Sequence, residues 1–142
     1  MAWVRRAGVL LLVIVLALAA GASADAKKRH KKKSSWRSTV TLSQPSSTQF
    51  AGTVGSKLKE CRKDRVVTLY YTDPNTGQTQ PLSVQRTDGS GRYEMDLTKP
   101  AFTGGYQVTV DQQKVRAMDA KQTCRATQSA LVDVTGVPLA PS

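Results

Sequence analysis

The chain has 142 residues, with 21 Lys and Arg against 10 Asp and Glu, one His and two Cys. That length suits a single domain, and one His with two Cys falls short of the about four ligands of a structural zinc site. The lone His30 stands inside a lysine run, so a Ser–His–Asp arrangement has no plausible base, and no metal, cofactor or small-molecule substrate is expected.

The first elements concern destination. Arg5 and Arg6 precede an apolar run from Ala7 to Ala20 broken only by Gly8, and Ala22-Ser23-Ala24 offers the small-x-small pattern of a signal-peptidase site. The run is shorter than the ~20 residues a membrane-spanning helix needs. Residues 1–24 are therefore read as a secretory signal peptide cleaved near Ala24, with the mature chain from Asp25 secreted or held in the cell envelope. One feature of the charge pattern argues the other way. Six cations follow the apolar run and two precede it, and the richer flank favours the cytoplasmic side. The Arg5-Arg6 pair loosely resembles a twin-arginine signal, a route that tolerates basic flanks.

Those six cations are Lys27, Lys28, Arg29, Lys31, Lys32 and Lys33. A block of like charge without apolar residues repels itself and has nothing to bury, so residues 25–36 are expected to form a disordered basic arm. Such an arm suits an anionic cell-wall polymer or a lipid surface, where each cation contributes about 1 kcal/mol, screened by salt. Nucleic acid is the alternative partner for a chain retained inside the cell. A solubilising spacer without a partner is the plain reading, and Trp36 is expected to cap the domain edge.

From residue 38 onward a period of two dominates. Val40 and Leu42; Phe50, Gly52 and Val54; Val67, Leu69 and Tyr71; Leu82 and Val84 each share a face. Tyr93, Met95 and Leu97; Tyr106, Val108 and Val110; Ala130, Val132 and Val134 do the same. Seven short strands with one polar face predict an all-β, seven- or eight-stranded antiparallel Greek-key β-sandwich over residues 37–135. Turns are marked by Asp73-Pro74-Asn75-Thr76-Gly77, Asp88-Gly89-Ser90-Gly91 and Gly104-Gly105. Lys114–Gln122 fits either a helical turn or a strand, and residues 136–142, with two Pro, read as a loose tail. In an exported domain of this size, Cys61 and Cys124 are expected to form one structural disulfide. A redox pair would sit closer in sequence, as in C-x-x-C.

The run Thr87-Asp88-Gly89-Ser90-Gly91-Arg92-Tyr93, followed by Gly105-Tyr106-Gln107-Val108-Thr109-Val110, resembles the carboxypeptidase regulatory-like (transthyretin-like, or prealbumin-like) sandwich domains. Phe50-Ala51-Gly52-Thr53-Val54 and Val66-Val67-Thr68-Leu69 extend the likeness over roughly residues 48–112. It implies an accessory, adhesive or structural module without catalysis, and it transfers no functional residue. Asp88 would accept backbone N–H bonds in its turn, Gly91 would take a conformation closed to side chains, and Tyr93 and Tyr106 would place rings between the sheets. The Cys pair and the long stretch after Val110 depart from that pattern. An antibody-like domain fits less well, because no Trp lies between the cysteines.

The remaining site candidates read as scaffold. Asp73-x-Asn75 lacks the Gly and Glu positions of an EF-hand loop. Glu94 and Asp96, a conceivable hydrolase pair, share the polar face opposite Tyr93 and Met95. Arg62, Lys63 and Arg65, with Lys57 and Lys59, are read as a charged loop rather than an anion-binding patch, and one of Tyr70 and Tyr71 must face outward. The expected protein is a secreted, disulfide-bridged, non-catalytic β-sandwich whose basic arm meets anionic polymers or surfaces. An intracellular nucleic-acid-binding protein is the second reading, and a small hydrolase is a remote third.

Overall fold

A computed structural model describes residues 34–136. The signal-like segment 1–24, the cations Lys27–Lys33 and residues 137–142 lie outside the described residues. Twelve strands follow one another: β1 (Ser34–Trp36), β2 (Ser38–Val40), β3 (Ser43–Ser46), β4 (Gln49–Ser56), β5 (Val66–Thr72) and β6 (Thr79–Arg86). Then come β7 (Arg92–Asp96), β8 (Gly104–Val110), β9 (Gln113–Ala117), β10 (Ala120–Cys124), β11 (Thr127–Gln128) and β12 (Val132–Val134). A 3-10 turn, Lys59–Cys61, interrupts the loop between β4 and β5.

Alternation of apolar and polar residues builds two facing sheets. In the first, β4 is central, with β7 on one side and β2 then β3 along the other. In the second, β6, β5 and β8 run antiparallel, and β11 and β12 together complete the far side of β8. The chain crosses between sheets from β4 to β5, from β6 to β7 and from β7 to β8, which makes the all-β sandwich a Greek key. Phe50, Val54, Tyr93 and Met95 from the first sheet meet Val67, Leu69, Tyr71, Tyr106 and Val108 from the second. The rings of Phe50 and Tyr106 stack with centroids 4.7 Å apart across this interface. Tyr106 and Tyr71 keep their hydroxyls bonded to the carbonyls of Phe102 and Thr103, so neither buries an unpaired donor.

The expected strand over residues 38–42 is broken at Thr41, and the break has a cause. Thr53 N–H donates to the Thr41 hydroxyl, which frees the Thr41 carbonyl to accept from the Tyr93 hydroxyl. To reach it, the Tyr93 ring crosses β4 over Gly52, its cross-strand partner. A Cβ on Gly52 would collide with the Thr41 carbonyl oxygen and the Tyr93 hydroxyl. Glycine is required here by close approach, not by its own dihedrals.

A third, smaller sheet lies outside the sequence expectation. β10 is its centre, paired antiparallel with β9 and parallel with β1. It corrects the reading of one region and decides between the two readings of another. Ser34–Trp36, assigned to the basic arm, are a strand, because Trp36 packs on a second apolar cluster and its indole N–H donates to Gln122 Oε1 at 3.1 Å. The ambiguous stretch Lys114–Gln122 is a tight hairpin rather than a helical turn, with Ala117 paired to Ala120. Gly136, placed in the tail, is bonded in both directions to the Thr103 hydroxyl and backbone-packed against Ala101.

Replacing Gly52 with Ala should lower stability by about 1–3 kcal/mol through overpacking. Thermal melts of Gly52→Ala with Tyr93→Phe test the cause: removing the hydroxyl should recover part of the loss, and strictly additive losses would refute it.

Candidate functional site

The second apolar cluster joins Leu58, Cys61, Ala117 and Cys124, with Trp36 and Val115 against it. Cys61 and Cys124 form a disulfide, with Cα atoms 5.4 Å apart and a sequence separation of 63. In a chain-entropy account such a closure is worth about 4 kcal/mol. The bridge ties the 3-10 turn to β10, so the β4–β5 loop and the small sheet form one satellite on the sandwich. A disulfide of this kind is compatible with an oxidising, extracellular location.

Arg65 connects the satellite to the sandwich. Its side chain is 0% exposed, where the sequence places it in a charged loop. Nη1 donates to the Cys61 carbonyl at 2.8 Å and the Ser38 hydroxyl at 3.0 Å. Nη2 donates to the carbonyls of Asp111 and Arg125. The guanidinium thus bonds the 3-10 turn, β2, the end of β8 and the exit from β10 at once. Burial pushes its pKa down from the ordinary arginine value, and the charge of Asp111 opposes that shift. Thr87 fixes the backbone beside it: Arg65 N–H donates to the Thr87 hydroxyl, which in turn donates to the Arg62 carbonyl.

What the satellite presents to solvent is basic. Segments 34–37, 57–65 and 113–125 carry nine Lys and Arg outside the core (Arg37, Lys57, Lys59, Arg62, Lys63, Lys114, Arg116, Lys121, Arg125) against Glu60, Asp64 and Asp119. The rest of the described domain has the opposite balance, with Arg86, Arg92 and Lys99 against six carboxylates. On the outer face of the small sheet Lys121 stands directly opposite Arg116, and Lys114 lies two residues along the same strand. Like charges so placed repel. Among the described residues the one ion pair is Arg86–Asp64 at 3.2 Å, which leaves all three cations without a carboxylate.

The other sequence candidates fall elsewhere. Asp88 Oδ1 accepts from Ser90 N–H and Oγ, each at 2.8 Å, and from Arg92 N–H at 2.9 Å. These bonds, the Ser90 hydroxyl first, hold its carboxyl below the usual range. Gly91 has φ +94°, and a Cβ there would meet the Val54 carbonyl oxygen at 2.5 Å. Tyr93 and Tyr106 lie in the core, and burial raises the pKa of both. Gly105 on β8 underlies the side chain of Leu131. Glu94 and Asp96 sit exposed on β7, where Asp96 accepts from Gln49 Nε2, and no cleft encloses them. Asp73 accepts from Asn75 N–H in an ordinary hairpin loop, with Gly77 at φ +68°. Tyr70 is the outward-facing tyrosine of β5 and is half-buried, while Tyr71 is in the core. No cluster of three metal-binding side chains occurs among the described residues. An open groove of about 510 Å³ at the far pole is lined by Gln44, Ser46, Ser47, Pro100, Ala101, Thr135 and Gly136. None of these carries a titratable or nucleophilic constellation.

Sequence reasoning missed two features: the burial of Arg65 and the hairpin of β9 and β10. The second had a signal, since Lys114, Arg116, Lys121 and Thr123 alternate with Val115, Ala117, Gln122 and Cys124. Searches against protein-family models, curated proteins and solved structures each found no match to this chain.

Arg65→Met should destabilise the domain by about 3 kcal/mol, because the freed carbonyls lose their donors inside the protein. Arg65→Lys should recover only part of that in denaturant titrations, one ammonium having too few donors in the wrong geometry. Full recovery by Lys would show that charge alone matters. Asp88 gives a pH prediction. Its folded pKa is depressed, so its contribution is present above the unfolded carboxylate value of about 3.9 and lost as pH falls through the folded value. Wild type and Asp88→Ala should therefore differ in Tm at neutral pH and converge in strong acid. A gap that persists in strong acid would mean the turn acts by shape alone.

Proposed function

We propose that the chain is a secreted, non-catalytic binding module of carboxypeptidase regulatory-like type, acting at the cell envelope or outside the cell on anionic polymers or surfaces. The observation that carries this reading is the segregation of charge: a basic satellite on a sandwich with more carboxylates than cations. Folding has no use for unpaired like charges facing one another across β9 and β10, whereas an anionic partner would relieve them. The sequence places Lys27–Lys33 directly before β1, so the six cations of the arm and the folded cations of β9 and β10 would act on the same partner. Residues 1–24 supply the export signal in this reading, and the Cys61–Cys124 bridge suits the compartment it leads to. The exposed placement of Glu94 and Asp96 on β7 supports the non-catalytic reading over a hydrolase that would use them as its pair.

Heparin chromatography with salt elution tests the reading. The protein should be retained and elute with a steep salt dependence, and deletion of residues 27–33 should shift elution to clearly lower salt while leaving Tm unchanged. A protein that passes through at low salt, or a deletion that elutes with wild type, would overturn it. A full-length mass with two free thiols, recovered from the host's cytoplasm, would transfer the same cations to nucleic acid as partner.

A further inference from the structure

The hairpin between β9 and β10 closes through a two-residue turn in which Met118 and Asp119 both have positive φ, +51° and +56°. Such a type I′ turn favours Asn-Gly or Asp-Gly, because left-handed dihedrals strain residues with larger side chains. Methionine is a poor choice on that ground. It also gains nothing from packing, being 75% exposed, the highest exposure among the large hydrophobic residues described. An apolar side chain held in a strained conformation and aimed at solvent calls for an explanation beyond stability.

The surroundings of Met118 supply one. Arg116 and Lys121 are the first outward-facing pair behind the tip, directly opposite one another at about 5 Å between Cβ atoms. Lys114 follows about 7 Å further along β9. The base of the hairpin is fixed by the Cys61–Cys124 bridge and by Arg65, which bonds the Arg125 carbonyl at 3.1 Å. An apolar tip behind a collar of cations, on a rigid stem, has the distribution of a segment that enters the boundary between lipid headgroups and acyl chains. A soluble polyanion would have use for the collar and none for the methionine.

We propose that this hairpin is a membrane-docking finger for an anionic lipid surface: Met118 inserts below the headgroups while Arg116, Lys121 and Lys114 contact their phosphates. The proposal rests on the anionic-partner reading above and narrows it to lipid. Asp119 in the turn would face the anionic surface, and its repulsion limits the depth to the tip. Trp36 takes no part, since its ring is committed to the second core.

The test uses the purified, disulfide-bonded protein with vesicles of phosphatidylcholine alone and of phosphatidylcholine with about one-third phosphatidylglycerol, alongside heparin retention. Wild type should sediment with the anionic vesicles and not with the neutral ones. Met118→Asn tolerates the left-handed dihedrals, so its Tm should be equal or higher, yet its vesicle partitioning should fall about tenfold with heparin elution unchanged. Arg116→Gln with Lys121→Gln should weaken vesicle binding roughly thirtyfold at low salt. A second readout is the Met118 methyl resonance, which should broaden with spin-labelled anionic vesicles and stay sharp with heparin. Vesicle binding by Met118→Asn equal to wild type would overturn the finger. Retention on heparin without vesicle binding would overturn it too, leaving a polymer as partner, whereas binding to neither would remove the anionic-partner reading itself.

Discussion

One buried guanidinium holds this domain together as a unit. Arg65 lies where the start of β5, the 3-10 turn, β2, the end of β8 and the exit from β10 converge, and it gives each of the last four a hydrogen bond. No carboxylate neutralises it by contact. The acceptors are mainly backbone carbonyls, whose partial charges substitute for the water the guanidinium has lost. Such an arrangement is costly to desolvate, but an apolar side chain in its place would leave its acceptors without donors inside the protein. What it provides is direction: the planar fork fixes where four segments stand relative to one another, which an apolar side chain would leave open.

The disulfide and Arg65 act on the same joint from two sides. Cys61 contributes its sulfur to the bridge and its carbonyl to Arg65, and Arg125, next to Cys124, contributes another of the three carbonyls. The covalent link limits how far the satellite can separate from the sandwich, and the hydrogen bonds set its orientation. Neither core cluster reaches across this joint by apolar contact alone. The small sheet is therefore a presented surface, held by polar and covalent bonds, with its outward residues released from any packing duty.

The sandwich was legible in the sequence because its strands are long enough for alternation to register. Phe50 to Val54, Val67 to Tyr71 and Tyr106 to Val110 each give several apolar residues on one face, bounded by Asp, Pro and Gly turns. The satellite was not, for physical reasons. In β1 and β10 the inward residues include Ser34, Gln122 and Cys124, so burial is shared with polar atoms and the apolar period fades. Arg65 has the composition of a surface residue, and nothing local distinguishes it from Arg62 or Lys63. Its burial follows from contacts as distant as Arg125, which no window along the chain contains. The turn at Met118-Asp119 was hidden because Met-Asp is not a usual type I′ sequence. Local preference and global fold disagree there, and such disagreement marks positions where something besides stability is selected.

Charge segregation follows from this division of labour. Within the sandwich, the outward face of β7 carries both signs, Arg92 beside Glu94 and then Asp96, and Asp96 is further satisfied by Gln49. On β9 and β10 the outward positions are Lys114, Arg116, Lys121 and Thr123, and no carboxylate interrupts them. A stability optimum would have placed Glu opposite Lys121, gaining a fraction of a kcal/mol at about 0.2–1 per cross-strand pair. The satellite forgoes that gain at a site where the disulfide already secures the fold. Its stabilisation comes from the joint beneath, so its surface is free to carry repulsion, and a surface that holds unpaired cations at fixed spacing has its binding geometry set before any anion arrives.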